Sequence, residues 1–303
     1  MDASTKERPV TPRSLGSLVA EGKTKKIYLT KGSNDLVTVV AKDDITAGDG
    51  AKHDVIPDKG RLATATTSNV FRLLKACGIP VAFVEQIDGI TFSAPKCEML
   101  PYEVVARREA HGSYLKRNPH LTKGQLFPKL IVEFYLKTKD KNWKGKPLVA
   151  DDPFMRYEDG GKQIELLNPA KPLPGQEPFL ILQPSEVFSH ADEWKMFPEM
   201  RRIVRQTFLA LEKAWQLEGG TLVDLKVEFG RLWNDEEMRI VLADEISPDC
   251  CRLRDLKTNE IFDKDRFRRD LGNVEEAYRE VARRLGILPE GGPQDLKGPK
   301  TLQ

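Results

Sequence analysis

The segment Leu222-Val223-Asp224-Leu225-Lys226-Val227-Glu228-Phe229-Gly230 alternates side-chain character with a period of two. As a strand it puts Leu222, Asp224, Lys226 and Glu228 on one face and Val223, Leu225, Val227 and Phe229 on the other, so one face is committed to a core. By alternation alone, the charged face is equally that of an ordinary half-exposed strand. The next strand shifts the balance. Arg239-Ile240-Val241-Leu242-Ala243 is nearly all apolar, reads as a buried strand, and runs straight into Asp244-Glu245. The short connection at 231–238 predicts an antiparallel hairpin that brings Glu228 and Asp244 into one neighbourhood at the edge of a core. Two carboxylates beside a lysine suit a magnesium–polyphosphate complex, because magnesium takes hard oxygen ligands and phosphoryl transfer needs its charge.

Further β-type runs lie at 26–29 and 36–40, separated by a Gly-Ser-Asn-Asp turn, and at 81–84, 103–106 and 130–136. Helical spacing puts Val70, Leu73, Leu74 and Cys77 on one face of a helix that stops at Gly78, before Pro80. Longer helices are expected at 198–217 and 274–286, the second with Asn273 as its N-cap. Strands and helices mix without regular βαβ alternation, so the expected class is α+β with largely antiparallel sheets. Residues 139–178 hold six of the 20 prolines, clustered with glycine and charge, and read as a long excursion or lid. The polar, proline- or glycine-rich ends, 1–13 and 290–303, read as flexible tails.

Composition narrows the function classes. Lys plus Arg number 48 against 46 Asp plus Glu, and a net charge of +2 supplies no broad field for nucleic acid or an anionic membrane. Any phosphate site must therefore be local. No apolar run approaches the roughly 18 residues of a membrane helix, and the first residues lack a signal-peptide core, so the expected location is cytoplasmic. Cys77, Cys97, Cys250 and Cys251 show no CxxC spacing and are expected to be buried free thiols.

Four other stretches carry candidate chemistry. Glu21-Gly22-Lys23-Thr24-Lys25 has a glycine and alternating lysines entering a strand, which suits phosphate cover, although solvated lysines before an edge strand are the commoner cause of such a pattern. Asp43-Asp44-Ile45-Thr46-Ala47-Gly48-Asp49-Gly50 lacks the ligand spacing of a calcium loop and reads as a substrate-contacting loop or plain turn. In Leu100-Pro101-Tyr102-Glu103-Val104-Val105-Ala106-Arg107, continuing to His111-Gly112-Ser113, guanidinium, backbone N–H and hydroxyl can cradle a phosphate, although a strand ending in a charged turn fits as well. Ser247-Pro248-Asp249-Cys250-Cys251-Arg252 can aim Arg252 at an anion. No histidine stands in a nucleophile–base pattern.

In order along the chain, over about 18–137 and 198–286, these stretches resemble the SAICAR synthetase family, the phosphoribosylaminoimidazole-succinocarboxamide synthases of purine biosynthesis. Residues 222–230 match the family's aliphatic-aliphatic-Asp-x-Lys-aliphatic-Glu-Phe-Gly throughout. Residues 100–113 keep Pro101, Glu103, Arg107, Gly112 and Ser113, with Tyr102 and His111 as departures. Supporting matches are residues 21–25, 45–48, 112–119 and 282–286, several of them similar to the animal-type branch. The resemblance implies a small β-rich N-terminal domain (14–97) over a larger α+β domain (98–289), with ATP in the cleft between them.

It implies a ligase that joins L-aspartate to the carboxylate of carboxyaminoimidazole ribotide (CAIR) through an acyl phosphate, giving SAICAR, ADP and phosphate. The implied partners are these small molecules, with a homo-oligomer left open. Lys23, Lys25 and Lys137 would contact ATP phosphates, Ile27 and Met99 would border adenine, and Glu228 and Asp244 would bind Mg2+. Arg107, Ser113 and Arg252 would hold the ribotide phosphate, while Asp224 and Lys226 line the imidazole end, with Lys226, Asp224 and Lys137 as the catalytic set. Cys250 stands where the family has glycine, and the 139–178 stretch replaces a compact loop whose Asp-Pro is matched by Asp152-Pro153. A kinase reading would require an H-R-D catalytic loop, and none is present. A non-catalytic relative would be expected to have lost some of these charged residues.

Overall fold

A computed structural model describes residues 15–158, 160–234 and 237–288; the expected tails at 1–13 and 290–303 lie outside them. Strands β1 (Leu15–Glu21), β2 (Lys25–Thr30) and β3 (Leu36–Ala41) pair antiparallel in sequence, so the expected hairpin is present with one more strand at its edge. The acid- and glycine-rich stretch is not an open loop. It forms β4 (Asp44–Ala47), a tight turn and β5 (Lys52–Val55), and Asp43 accepts a hydrogen bond from the backbone N–H of Gly60 at 2.8 Å.

Helix α1 (Lys59–Ala76) buries Val70, Leu73 and Leu74 as its spacing requires. Cys77, expected on that face, is exposed, because the helix ends one residue earlier and Gly78 turns away at φ +74°. Strands β6 (Glu85–Gln86) and β7 (Thr91–Pro95) complete a five-stranded sheet of order β1-β2-β3-β7-β6. The run at 81–84 is not a strand of it. Ala82 N–H donates to Leu242 in the second sheet, whereas Val84 N–H donates to Ser93 in the first. A short β-type sequence that divides its hydrogen bonds between two sheets cannot sustain a ladder with either.

The second sheet starts with β8 (Glu98–Glu109). After the short α2 (Ser113–Arg117) comes β9 (Leu126–Leu136), then the two-residue strands β10 (Asn142–Trp143) and β11 (Lys146–Pro147). Strands β12 (Phe154–Arg156), β13 (Ile164–Leu167) and β14 (Leu180–Leu182) follow, then α3 (Pro184–Val187), α4 (Met196–Leu217), β15 (Gly220–Asn234), β16 (Glu237–Ala243) and β17 (Cys251–Asp255). The last described elements are α5 (Asp265–Arg268) and α6 (Val274–Arg284). The sheet order is β14-β13-β12-β9-β8-β15-β16, with β17 also on β15, and every pairing is antiparallel.

Residues 139–178 are therefore no lid. β12 and β13 extend the main sheet from β9, and Ile164, Leu166 and Leu167 are fully buried, because their short apolar run sits between proline- and glycine-rich turns that mask it. Helix α4 lays Phe197, Met200, Ile203, Val204, Phe208 and Leu211 on the sheet, all essentially inaccessible to water, at about 1.5–3 kcal/mol of transfer free energy each. Asn273 does precede α6, but it does so in the left-handed region (φ 51°) and makes no side-chain cap bond. Its contribution is a backbone turn that few other residues adopt readily.

Candidate functional site

Strand β15 is the spine of the site. Its face with Val223, Leu225, Val227 and Phe229 is buried in the core, as alternation requires. On the other face Asp224, Lys226 and Glu228 succeed one another. Along one edge β8 sets Arg107 opposite Asp224 and Glu103 opposite Glu228; along the other β17 sets Arg252 opposite Asp224 and β16 sets Ala243 opposite Glu228. That last register puts Asp244 one residue beyond Glu228's neighbour, within the neighbourhood the hairpin predicted, and fixes a register the sequence left open.

At one end, Asp224 Oδ2 accepts hydrogen bonds from Arg107 Nη1 (2.8 Å) and Arg252 Nη1 (2.5 Å). Arg107 also donates from Nε to Glu133 Oε2 (2.6 Å), a carboxylate that in turn receives Arg117 and the Tyr135 hydroxyl. Burial opposes the charge of Arg107, but the carboxylates of Glu133 and Asp224 outweigh it and hold its pKa above the ordinary value. For Arg252 the opposing burial is likewise outweighed, by Asp224 and Asp265. Gly112 has φ +55°, and a Cβ there would run into the Arg252 guanidinium, so glycine is required twice over. Ser113 opens α2 directly after it.

At the other end, Lys226 Nζ donates to Glu103 Oε1 (2.5 Å) and lies 3.7 Å from Glu228 Oε1, while Lys137 Nζ donates to Glu228 Oε2 (2.5 Å). Burial works against the Lys226 ammonium, yet Glu103 and Glu228 raise its pKa above the usual lysine value, so it is a fixed cation rather than a base. Lys25 reaches across from β2 to Asp244 Oδ1 (2.6 Å) and Glu245 Oε1 (2.8 Å), which joins the first sheet to the second at this point. The same balance of burial against two carboxylates raises its pKa.

A cavity of about 300 Å³ is lined by Arg107, Ser113, Asp224, Lys226, Glu103 and Arg252, together with Asp151, Asp152 and Cys250. Five residues expected at the substrate end thus converge. Lys23, Ile27 and Met99 do not line it: Lys23 Nζ lies over Gly50, Ile27 packs against the main core from β2, and Met99 is exposed at the start of β8. His111 is buried against Glu109 (3.0 Å) and is not part of the cavity lining. Cys251 is buried, Cys97 and Cys250 are half-buried and Cys77 is exposed, so the expectation of four buried thiols holds fully only for Cys251. Burial, reinforced by Glu245, pushes the Cys250 thiol up to about 12, so this departure from glycine places a neutral group beside Lys226.

Sequence reasoning missed three participants. Glu103 was matched within the 100–113 signature without a role, and its place beside Lys226 becomes visible only through the β8–β15 register. Lys59, in a polar Pro-Asp-Lys-Gly stretch, is 1% exposed and lies 2.5 Å from Asp249, which also accepts the Tyr278 hydroxyl. Glu245, passed over beside Asp244, shares Lys25. Among the described residues no three His, Cys, Asp or Glu side chains converge as a metal cage, and no helix is long and apolar enough to cross a membrane.

With this geometry established, comparison with known proteins is specific. The SAICAR synthetase family model matches residues 18–155 and 182–285, omitting the part of the excursion that carries β13. The chain is 40% identical over 283 residues to the phosphoribosylaminoimidazole-succinocarboxamide synthase of Gluconobacter oxydans (strain 621H), covering 93% of this chain and 97% of that one. Among solved structures it is similar to the enzyme of the same name from Ehrlichia chaffeensis (30% identity, TM-score 0.70, 90% of this chain and 100% of that one). It is similar also to a SAICAR synthetase in complex with ADP (33% identity, TM-score 0.70, the same coverage). The alternating strand, its two carboxylate-bearing edges and these matches lead to one conclusion: the chain belongs to the SAICAR synthetase family, ATP-dependent ligases of purine biosynthesis that join L-aspartate to CAIR.

Proposed function

We propose that this chain performs the family's ligation by way of an acyl phosphate, with the charged face of β15 as its working surface. The observation that carries this reading is the polarity of that face, with two arginines on Asp224 at one end and lysines on Glu228 and Asp244 at the other. Arg252, Ser113 and Arg107 then hold the ribotide phosphate, and Asp224 with Lys226 lines the imidazole. Lys23, Lys25 and Lys137 meet the ATP phosphates, and Ile27 and Met99 border the adenine, so that the first sheet (domain 14–97) covers the nucleotide over the second (98–289).

In the reaction the CAIR carboxylate oxygen attacks the γ-phosphorus of ATP and ADP leaves. The aspartate amine then attacks the acyl carbon, phosphate departs, and the amine gives up a proton as the amide forms. Lys226, held protonated, neutralises charge on the reacting carboxylate. Arg107 and Arg252 anchor the far end of the substrate, so that the attacking oxygen is held in line.

Glu228 and Asp244 fit a magnesium ion in donor chemistry, being hard carboxylates that already attract ammonium groups from Lys137 and Lys25. With only these two, its other ligands would come from nucleotide phosphates and water. When bound, it would offset charge on the transferring phosphoryl group. The test is aspartate-dependent SAICAR formation from CAIR, ATP and magnesium by the purified protein; folded protein without such product sinks the reading. Glu228→Gln and Asp244→Asn should each lower turnover at least about a hundredfold and raise the magnesium requirement. Near-normal rates at low magnesium in either variant would overturn the metal assignment.

A further inference from the structure

Behind the cavity wall that carries Arg252 lies Asp263, a carboxylate with no exposure to water and, among the described residues, no lysine or arginine bonded to it. Its Oδ2 accepts the backbone N–H of Leu253 in β17 (2.9 Å), and its Oδ1 accepts the backbone N–H of Asp265 at the start of α5 (2.7 Å). Those two amides flank the groups that set Arg252 in place. Leu253 is the next residue in the strand, and Asp265 Oδ2 accepts the Nε–H of Arg252 at 2.9 Å. Arg252 in turn donates from Nη1 to Asp224 and passes over Gly112.

We propose that Asp263 is a positioning residue for Arg252: its two-pronged carboxylate locks the β17 backbone to the start of α5, and so aims the guanidinium into the cavity. The proposal rests on the reading of Arg252 as a ligand of the ribotide phosphate. Only an ionised carboxylate serves both amides equally, since a carboxylic acid or an amide turns one donor towards a backbone N–H.

The lock is pH-sensitive. Asp265 faces Asp263 from α5, Arg252 and Cys251 face it from β17, and Tyr278 faces it from α6. Burial, and then the negative charge of Asp265, push Asp263 up to about 7 against the pull of the two amides and Arg252. Below that value the acquired proton displaces one amide bond and Arg252 loses its aim.

The test compares full-length wild type with Asp263→Asn, reading KM for CAIR and for ATP at about pH 6 and about pH 8.5. Asparagine mimics the protonated form, so at the higher pH the variant should show a CAIR KM about tenfold raised, in line with one lost buried hydrogen bond, with KM for ATP within about twofold. Near pH 6 the two proteins should converge. Ionisation of the substrate's own phosphate is common to both and cancels in the ratio. In an Arg252→Lys background the same substitution should no longer move the CAIR KM. A wild-type-to-variant ratio that stays constant with pH, or an undiminished effect in the Arg252→Lys background, overturns the proposal. If Asp263→Asn does not fold, the comparison moves to wild type against Arg252→Lys, whose CAIR KM ratio must widen as pH rises through about 7; a flat ratio overturns it equally. Wild type inactive on CAIR would instead sink the functional reading beneath it.

Discussion

Arg107 holds together a cluster of charges that water barely reaches. Its guanidinium, 4% exposed, bridges Glu133 and Asp224, and both carboxylates are almost as deeply buried. Replacing it with an apolar residue of similar length leaves two buried negative charges short of a partner, a loss that typically costs about 3–5 kcal/mol. Here Arg117 and the Tyr135 hydroxyl still serve Glu133, and Arg252 still serves Asp224, which points to the lower end of that range. Arg107→Met should therefore lose about 3 kcal/mol of stability in urea unfolding. A loss under about 1 kcal/mol would mean that the pair is solvated more than the buried geometry allows. The same arithmetic sharpens the functional role. With two of its donors engaged by carboxylates, Arg107 shapes Asp224 as much as it meets substrate.

At the scale of elements, the ladder between β8 and β15 explains the glycine that ends the 222–230 motif. Gly230 lies where the register shifts, and a Cβ on it would come within 2.4 Å of Cys97 Sγ and 2.9 Å of Cys97 Cβ. Gly230→Ala should destabilise the protein by about 1–3 kcal/mol, read as a lower urea midpoint at unchanged slope. Adding Cys97→Ala should restore part of that and not all, since the Cys97 Cβ remains; full restoration would show that the sulfur alone sets the constraint. Sequence periodicity was sufficient for the elements whose partners are near in the chain. The β2–β3 hairpin, the β15–β16 hairpin with Glu228 beside Asp244, and helices α4 and α6 were all legible in this way. It failed where partners are remote or the signal is short. Val81-Ala82-Phe83-Val84 looked like a strand because nothing local reveals that two sheets compete for its amides. β13 was hidden by the turns around it. Lys59 drew no reading from its polar stretch, because the carboxylate that buries it arrives from the β16–β17 loop.

For the molecule as a whole, the buried knot of Lys59, Asp249 and Tyr278 ties α1, the β16–β17 loop and α6 together. Burial raises the pKa of Asp249, but Lys59 and then Lys264 more than reverse this, lowering it from 3.8 to about 2. A carboxylate with a depressed folded-state pKa stabilises the fold above its unfolded value, and the contribution disappears as pH falls through the folded one. The window is therefore between about pH 4 and about pH 2, and the stake is about 2 kcal/mol. Urea midpoints in that range should fall steeply for wild type, and the gap between wild type and Asp249→Asn should narrow as they do; a gap constant with pH would show that Asp249 is not charged in the folded protein. The spine β15 has a consequence of another kind. Between Asp224 and Glu228 its pairing with β8 is unbroken, so the two stations stand four residues apart, about 13 Å at about 3.3 Å per residue. On the proposed reading, one station serves the ribotide's arginines and the other the nucleotide's metal. A substrate is then gauged by its length along a rigid rule, and no motion of the first sheet over the second can shorten the measure.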